Sequence, residues 1–430
     1  MRTTSIPDAT PQAVPEQPLQ QESSDSELIA SLRNQLLEAR AQSMDWCAKY
    51  EEIRGSTAYR MGDMLSRSPL GAAYRAWNRK SGRAPDPQVA GRVAHGSAGD
   101  GVSSALKAAL AEFPVDEPIA LAHPEWLGIR SSATQMFDNL ACIGDDLTPV
   151  LAEKIAALLV EKKPSAIVFH GFPYTYQYLV EALHRDARDI PLYAVWHGTF
   201  MQASEDYAWR SFRLVCALQR QGKIRRIGCV KRGQEEILRG NGVDAVFLLN
   251  AYRAVPAAAS IVEDRPIKLG IWSISELRHK PPYEMLAAAS LIEGAKVVGS
   301  VATPRMMDFC EEFGIEHDFV GKMVAQPDMP RHLATCHLNL YVTLNECAPM
   351  LPLESFAAGV PCIMGPNTPY FADDAYLREK LVVNVPDDAN EIAARIRGAL
   401  VAREEIIAAY REYALRHNQA SVSTIHQFLS

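Results

Sequence analysis

Nowhere along its 430 residues does the chain hold an apolar run of about 18, the length a helix needs to cross a bilayer, so no membrane-spanning helix is expected. The first 27 residues are polar and proline-rich, without the charged start and apolar stretch of a secretory leader, and none is expected there. The 8 cysteines contain no Cys-x-x-Cys pair and no Cys/His cluster at zinc spacing. Cys47, Cys142, Cys216, Cys229, Cys310, Cys336, Cys347 and Cys362 sit mostly in apolar contexts such as Pro361-Cys362-Ile363-Met364, which suits reduced core residues of a cytosolic protein. An excess of positive charge is absent too. With 44 Lys and Arg against 51 Asp and Glu, the formal net charge is -7; a chain that lives on nucleic-acid phosphate is usually basic, so no nucleic acid is expected among its partners.

What the chain does have is ordinary globular composition, 48% hydrophobic and 22% charged, over a length that suits two to three domains. Residues 1–24 are rich in Pro, Gln and Ser and predict a disordered tail, because they cannot bury enough apolar surface to offset the entropy of ordering. From Ser26 the pattern changes. Ile29, Leu32, Leu36, Ala39, Ser43, Trp46, Tyr50 and Ile53 recur at alternating steps of three and four, a heptad seam. A long helix over 26–53 follows, either self-associating as a coiled coil or folded back on its own chain. Residues 54–92 interleave Arg54, Arg60, Arg67, Arg75 and Arg79 with Tyr59, Met61, Leu65, Tyr74 and Trp77. Such basic amphipathic helices suit peripheral contact with an anionic membrane face, and equally a helical extension with solvated arginines. Helix is expected over 25–80 and a Gly/Pro/Ser linker over 81–103.

Beyond the linker, short apolar runs alternate with helical patterns, the signature of βαβ units and parallel sheets. Strands are expected at 119–122, 166–170, 192–196, 226–230 and 245–249, then at 268–272, 296–299, 317–320, 338–342, 362–364 and 381–384. Helices are expected between them, at 147–161, 174–184 and 234–239 among others. The Ala/Pro-rich stretch 250–266 separates the two series. An α/β fold of two Rossmann-like, doubly wound lobes is therefore predicted, 104–255 and 256–430, with the last helix able to cross back.

Ligands of open parallel sheets bind beyond the carboxyl ends of the strands, so the loop after 338–342 is the most informative. Pro349 and Pro352 are tolerated only outside a helix or in its first turn, which starts the next helix near Met350; Gly359 closes it. The helix start offers N–H groups and a positive dipole end to a phosphate or pyrophosphate. Glu346 stands in the loop and Glu354 about one turn inside the helix. Carboxylates repel a phosphate but accept hydrogen bonds from sugar hydroxyls, and a nucleotide diphosphate sugar carries both kinds of group.

Glu346, seven residues, Glu354 and then Ala357-Ala358-Gly359-Val360-Pro361 resemble the signature of retaining glycosyltransferases of the two-Rossmann-lobe (GT-B) type, glycosyltransferase family 4 in particular. Upstream, Val320-Gly321-Lys322 and the segment from Met329 to Leu340 are similar to that family's approach to the signature. The likeness covers most of 267–400 well and the first lobe loosely. It implies that Glu354 holds the nucleotide ribose and Glu346 meets the donor sugar. Backbone groups of Ala348, Met350 and Leu351 would face phosphates or sugar, with Gly321 and Lys322 on the nucleotide side. Pro349 departs from the pattern by lacking an N–H. The family's cationic pair after the first strand of the second lobe is also altered: Ile271 fills the usual arginine slot, Lys280 fits the lysine, and Arg278 is the substitute arginine. In the first lobe, Val195-Trp196-His197-Gly198 is similar to the family's strand-His-Gly segment, which brings His197 to the donor sugar; His170-Gly171 ends another strand in the same way. Gly128 resembles the glycine of the first loop, and Arg130 beside it could meet an acceptor phosphate.

The resemblance implies transfer of a hexosyl group, with retention, from a nucleotide diphosphate sugar to a hydroxyl of a glycan or lipid-linked acceptor, as in polysaccharide biosynthesis. No cofactor and no metal are expected. No Asp-x-Asp occurs in the chain, which argues against the metal-dependent single-lobe transferases. Two alternatives stand beside it: a two-lobe hydrolase or epimerase of nucleotide sugars, and a catalytically silent scaffold acting through the N-terminal helices. A cytoplasmic protein, with its basic segment reaching the inner face of the membrane, is the expected setting.

Overall fold

The computed structural model describes residues 94–96, 102–254, 257, 266–272 and 280–430. The expected tail, the heptad helix at 26–53, the basic segment at 54–92 and Arg278 lie outside the described residues. Strands β1 (Ala94–Gly96), β2 (Ile119–Ala122), β3 (Leu140–Ile143), β4 (Ile167–His170), β5 (Leu192–Trp196), β6 (Arg226–Cys229) and β7 (Ala245–Phe247) form one sheet, in the order β1-β3-β2-β4-β5-β6-β7. A second sheet has the order β10-β9-β8-β11-β12, from β8 (Ile267–Ile271), β9 (Ala295–Gly299), β10 (Glu316–Phe319), β11 (Leu338–Tyr341) and β12 (Cys362–Met364). Every pairing in both is parallel. The chain has two doubly wound α/β lobes, as the sequence predicts.

Central strands such as Ile119–Ala122, Ile167–His170 and Leu192–Trp196 are buried along their whole length, which requires cover on both faces and explains their continuous apolar runs. Helices supply that cover, and their starts are encoded locally. Thr148 and Thr303 each accept an N–H of the first turn and are followed by proline at the first helical position. Asp374 caps the Ala375–Leu381 helix and Asp388 the Ala389–Val401 helix in the same way.

Three expectations are corrected. The stretch 81–103 is not wholly linker, since Ala94–Gly96 adds an edge strand beside β3. Strand β3 itself was not expected; Leu140-Ala-Cys-Ile143 has a single β-branched residue, and only its place beside β2 makes it a strand. Residues 381–384 form no strand. The preceding helix runs to Leu381, and only a bridge from Val382 to Met364 continues the sheet.

In each lobe the chain leaves a central strand to one side and later returns to its other side, between β2 and β4 and between β8 and β11. These switch points are where such sheets open a crevice. The C-terminal helix, Arg403–Leu429, joins the lobes. Tyr410 stacks on Phe356 at 4.0 Å in the second lobe. At its far end Leu429 O accepts the Tyr193 hydroxyl at 2.7 Å, and Phe428 packs on Tyr193 in the first. Among the described residues no helix is long and apolar enough to cross a membrane, and their seven cysteines are all buried thiols.

Candidate functional site

The loop after β11 carries Glu346, 5% exposed. Three groups surround its carboxylate: Lys280 Nζ lies 2.5 Å from Oε2, the Tyr341 hydroxyl donates to Oε2 at 2.9 Å, and the Cys347 N–H donates to Oε1 at 3.0 Å. Burial raises this carboxyl, but the Lys280 charge and the hydrogen bonds outweigh it and hold the group below the ordinary glutamate value. A buried anion is thus kept ionised in a fixed position. Lys280, expected to face a diphosphate, is paired with Glu346.

The helix that follows runs Met350–Ala357, starting where the two prolines require, and Gly359 closes it at φ +76°. Its orientation is set from beneath. Asn339 on β11 accepts the Trp272 indole N–H at 2.7 Å and donates to Ser355 Oγ at 2.7 Å, and Ser355 donates to Val360 O. With Ser355 fixed, its neighbour Glu354 points to the other lobe, where the Ser131 hydroxyl donates to Oε1 at 2.6 Å. Burial raises the Glu354 carboxyl above its ordinary value, against hydrogen bonds from Ser131 and Gln326. The first turn can present N–H groups of Met350, Leu351 and Leu353; Pro349 and Pro352 have none. Ala348 and Met350 are buried, Leu351 half-buried, and Ala348 O accepts the Asn250 amide at 2.7 Å.

From the first lobe, the loop after β5 meets this centre. The His197 carbonyl accepts the Cys347 thiol at 2.9 Å, and Thr199 Oγ1 accepts Asn345 Nδ2 at 2.6 Å. His197 Nε2 is bonded to His170 Nδ1 at 3.2 Å, so the two strand-end histidines form one pair. Burial holds His197 at about 3 and pushes His170 well below the ordinary histidine value, leaving both neutral. The loop after β6 adds a cation that sequence reasoning missed: Lys231 Nζ reaches Glu346 O at 2.9 Å and Asn367 O at 2.5 Å. Its place just past Cys229-Val230, at the carboxyl end of a predicted strand, was the available signal. Ser131, Tyr341, Asn250 and Gln326 were also missed, and no motif announces them.

Other expected site residues stand apart. Gly128 is exposed in the first turn of the Leu127–Met136 helix, not in a loop, and no atom lies within 4 Å of where a Cβ would sit. Arg130 is engaged internally, donating to Pro124 O at 2.8 Å and to Gln326 Oε1 at 3.3 Å. Gly321 and Lys322 are exposed beyond the edge strand β10. Ile271, in the arginine slot, is 1% exposed within the core. The interlobe face thus gathers Glu346, Glu354, His197, Lys280, Lys231 and one helix start, able to accept hydroxyls and to meet negative charge.

No protein-family model matches the chain, and no curated protein does. Solved structures do resemble it. A sucrose-phosphate synthase from Thermosynechococcus elongatus superposes with TM-score 0.52 at 14% identity, over 79% of this chain and 93% of that one. HepE from Anabaena, in complex with UDP and glucose, gives 0.53 at 13% identity, over 72% and 97%. A glycosyltransferase from Rickettsia africae gives 0.50 at 10% identity, over 73% and 99%. At such identities the likeness is one of fold, the two-lobed GT-B architecture.

Proposed function

We propose that the protein is a glycosyltransferase that moves a hexosyl group from a nucleotide diphosphate sugar to an acceptor hydroxyl, with retention at the anomeric carbon. The observation that carries this is the pairing of Glu346 and Glu354 at one interlobe face, the first ionised against Lys280 and the second reaching Ser131 of the other lobe. Two carboxylates eight positions apart, beside a helix start, suit a ligand with hydroxyls at two places and phosphate between. Among the similar structures, HepE is in complex with UDP and glucose and the Rickettsia africae protein is a glycosyltransferase, which supports the same class of donor.

In this mechanism Glu354 accepts ribose hydroxyls and Glu346 a hydroxyl of the donor sugar. The N–H groups of Met350, Leu351 and Leu353 face the diphosphate, and Lys231 adds positive charge beside them, since Lys280 is committed to Glu346 and Ile271 fills the arginine slot. No protein nucleophile is assigned. The bond from the anomeric carbon to the phosphate breaks as the new glycosidic bond forms on the same face, the leaving phosphate takes the acceptor proton, and closure of the cleft around the donor excludes water. The acceptor is a glycan or lipid-linked hydroxyl, and the basic segment 54–92 brings the enzyme to an anionic membrane face. The test is a thermal-shift screen of nucleotide sugars followed by product analysis. A cognate donor raises the melting temperature, and transfer gives the anomer of the donor. If no nucleotide sugar shifts the melt or is consumed, the proposal fails.

A further inference from the structure

Beside the centre above, and sharing only His197 of the residues gathered there, the first lobe holds a cavity of about 330 Å³, within the size range of small-molecule sites. It opens at the β2/β4 switch point and reaches His197 and Gly198, so it abuts the loop that meets Cys347 and Glu346. Its walls are aromatic. Trp126 and Tyr207 meet edge to face, their centroids 6.4 Å apart at 88°, and Phe172 and Trp196 complete the apolar surface. Tyr207 is steadied by Asp145, which accepts its hydroxyl at 3.5 Å and also lies 3.5 Å from His123.

The polar groups are few, and none of those described is a cation. Glu205 brings a carboxylate to the rim, and Ser211, 2% exposed, brings a hydroxyl with no hydrogen-bond partner. Gln202 Oε1 already accepts the Thr199 N–H, which leaves its amide N–H groups to donate. Among the described residues no lysine or arginine lines the cavity; Arg210 of the same helix is held over the Tyr174 ring, 4.5 Å from its centroid. Two glycines make the room. A Cβ on Gly171 would sit 2.7 Å from Trp126, and one on Gly198 2.9 Å from Trp196.

An aromatic corner rimmed by a carboxylate, an amide and a hydroxyl fits a ring with an apolar C–H face and a polar edge. It repels an anion, because Glu205 faces the ligand without a compensating cation. We infer that this cavity binds the acceptor as a neutral sugar ring, the terminal residue of a glycan, and that the acceptor does not enter through a phosphate held by Arg130. The inference rests on the transferase reading above for the word acceptor; the ring-binding chemistry stands on the cavity.

The test uses the full chain and saturation-transfer NMR with methyl glycosides of neutral hexoses, and with glucose 6-phosphate and glucuronate as anionic probes. Binding of UDP, GDP and ADP is measured in parallel by calorimetry. Neutral glycosides are expected to bind, Trp126→Ala and Glu205→Ala to weaken them about tenfold, and both anions to bind at least about tenfold more weakly. Glu205 is exposed, so its variant reports even if Trp126→Ala misfolds. Glycosides that bind both variants as they bind the parent overturn the inference, as do anions that bind equally well. A nucleotide that binds while no glycoside does overturns it and spares the transferase reading. Glycosides that bind while no nucleotide does remove the transferase reading and, with it, the assignment of the ring as acceptor.

Discussion

Replacing Lys280 with methionine keeps the aliphatic stem and removes the ammonium 2.5 Å from Glu346. At an effective dielectric constant of about 20, charges at that separation attract by about 7 kcal/mol. The net loss is smaller, because Glu346 keeps the Tyr341 and Cys347 hydrogen bonds and can protonate, and the Lys280 side chain is 26% exposed to screening water. Breaking a buried pair by deleting one partner costs about 3–5 kcal/mol, and the exposure lowers the expectation here to about 2–3 kcal/mol. Urea unfolding followed by tryptophan fluorescence, with Trp272 buried in the same lobe, measures it. Glu346→Gln and the double variant complete a cycle with an expected coupling of about 2 kcal/mol. The pH dependence gives an independent sign. In the parent, the Glu346 carboxyl lies below its ordinary value, so the pair's contribution is present above about pH 4.5 and is lost as pH falls through the folded value. In Lys280→Met burial dominates, the carboxyl rises, and stability falls as pH increases through its new value. A variant that unfolds within about 0.5 kcal/mol of the parent at pH 7 and shows no reversal would refute the assignment of Lys280 as the group that keeps Glu346 ionised.

The neutral histidine pair predicts acid sensitivity. His197 is held at about 3, below its unfolded value near 6.5, so its contribution is present above pH 6.5 and lost as pH falls; between pH 7 and 5 it costs about 2 kcal/mol, and His170 adds loss in the same direction. Unfolding measured at both pH values for the parent and for His197→Gln should show the difference shrink in the variant, and an unchanged difference would contradict the pairing. Gly171→Ala combines φ +71° with a Cβ 2.7 Å from Trp126, and should destabilise by about 2 kcal/mol in the same urea assay. A neutral substitution there would show that the Trp126 wall is not held close to the backbone.

Much of the fold is legible because parallel strands buried on both faces must be continuous apolar runs, and the stretches at 119–122, 192–196 and 362–364 are marked to the residue. Prolines at 349 and 352 and the glycine at 359 likewise fix the helix that carries Glu354. Leu381-Val-Val-Asn384 shows the limit: its β-branched residues look like a strand, but helix and tertiary packing claim it. The candidate site is legible residue by residue, but not in how its residues meet across the lobes. Glu346, Glu354, Lys280 and His197 stand out by spacing or by their place at strand ends. Their partners do not, because Ser131 meets Glu354 across 223 positions and Lys231 meets the Glu346 carbonyl across 115, and nothing local encodes how two lobes face each other. Gly128 and Arg130 followed loop resemblance, whereas the cavity beside them is built by Trp126, Phe172 and Tyr207, ordinary core-like residues in sequence.

Calorimetric titration of UDP, GDP and ADP into the parent protein and into Glu354→Gln tests the claim that the interlobe face grips a nucleotide through that carboxylate. One of the three should bind the parent, and the variant should bind it at least about tenfold more weakly, the value of a hydrogen bond to a charged acceptor. Equal affinity in both proteins, or heat from neither, would contradict it.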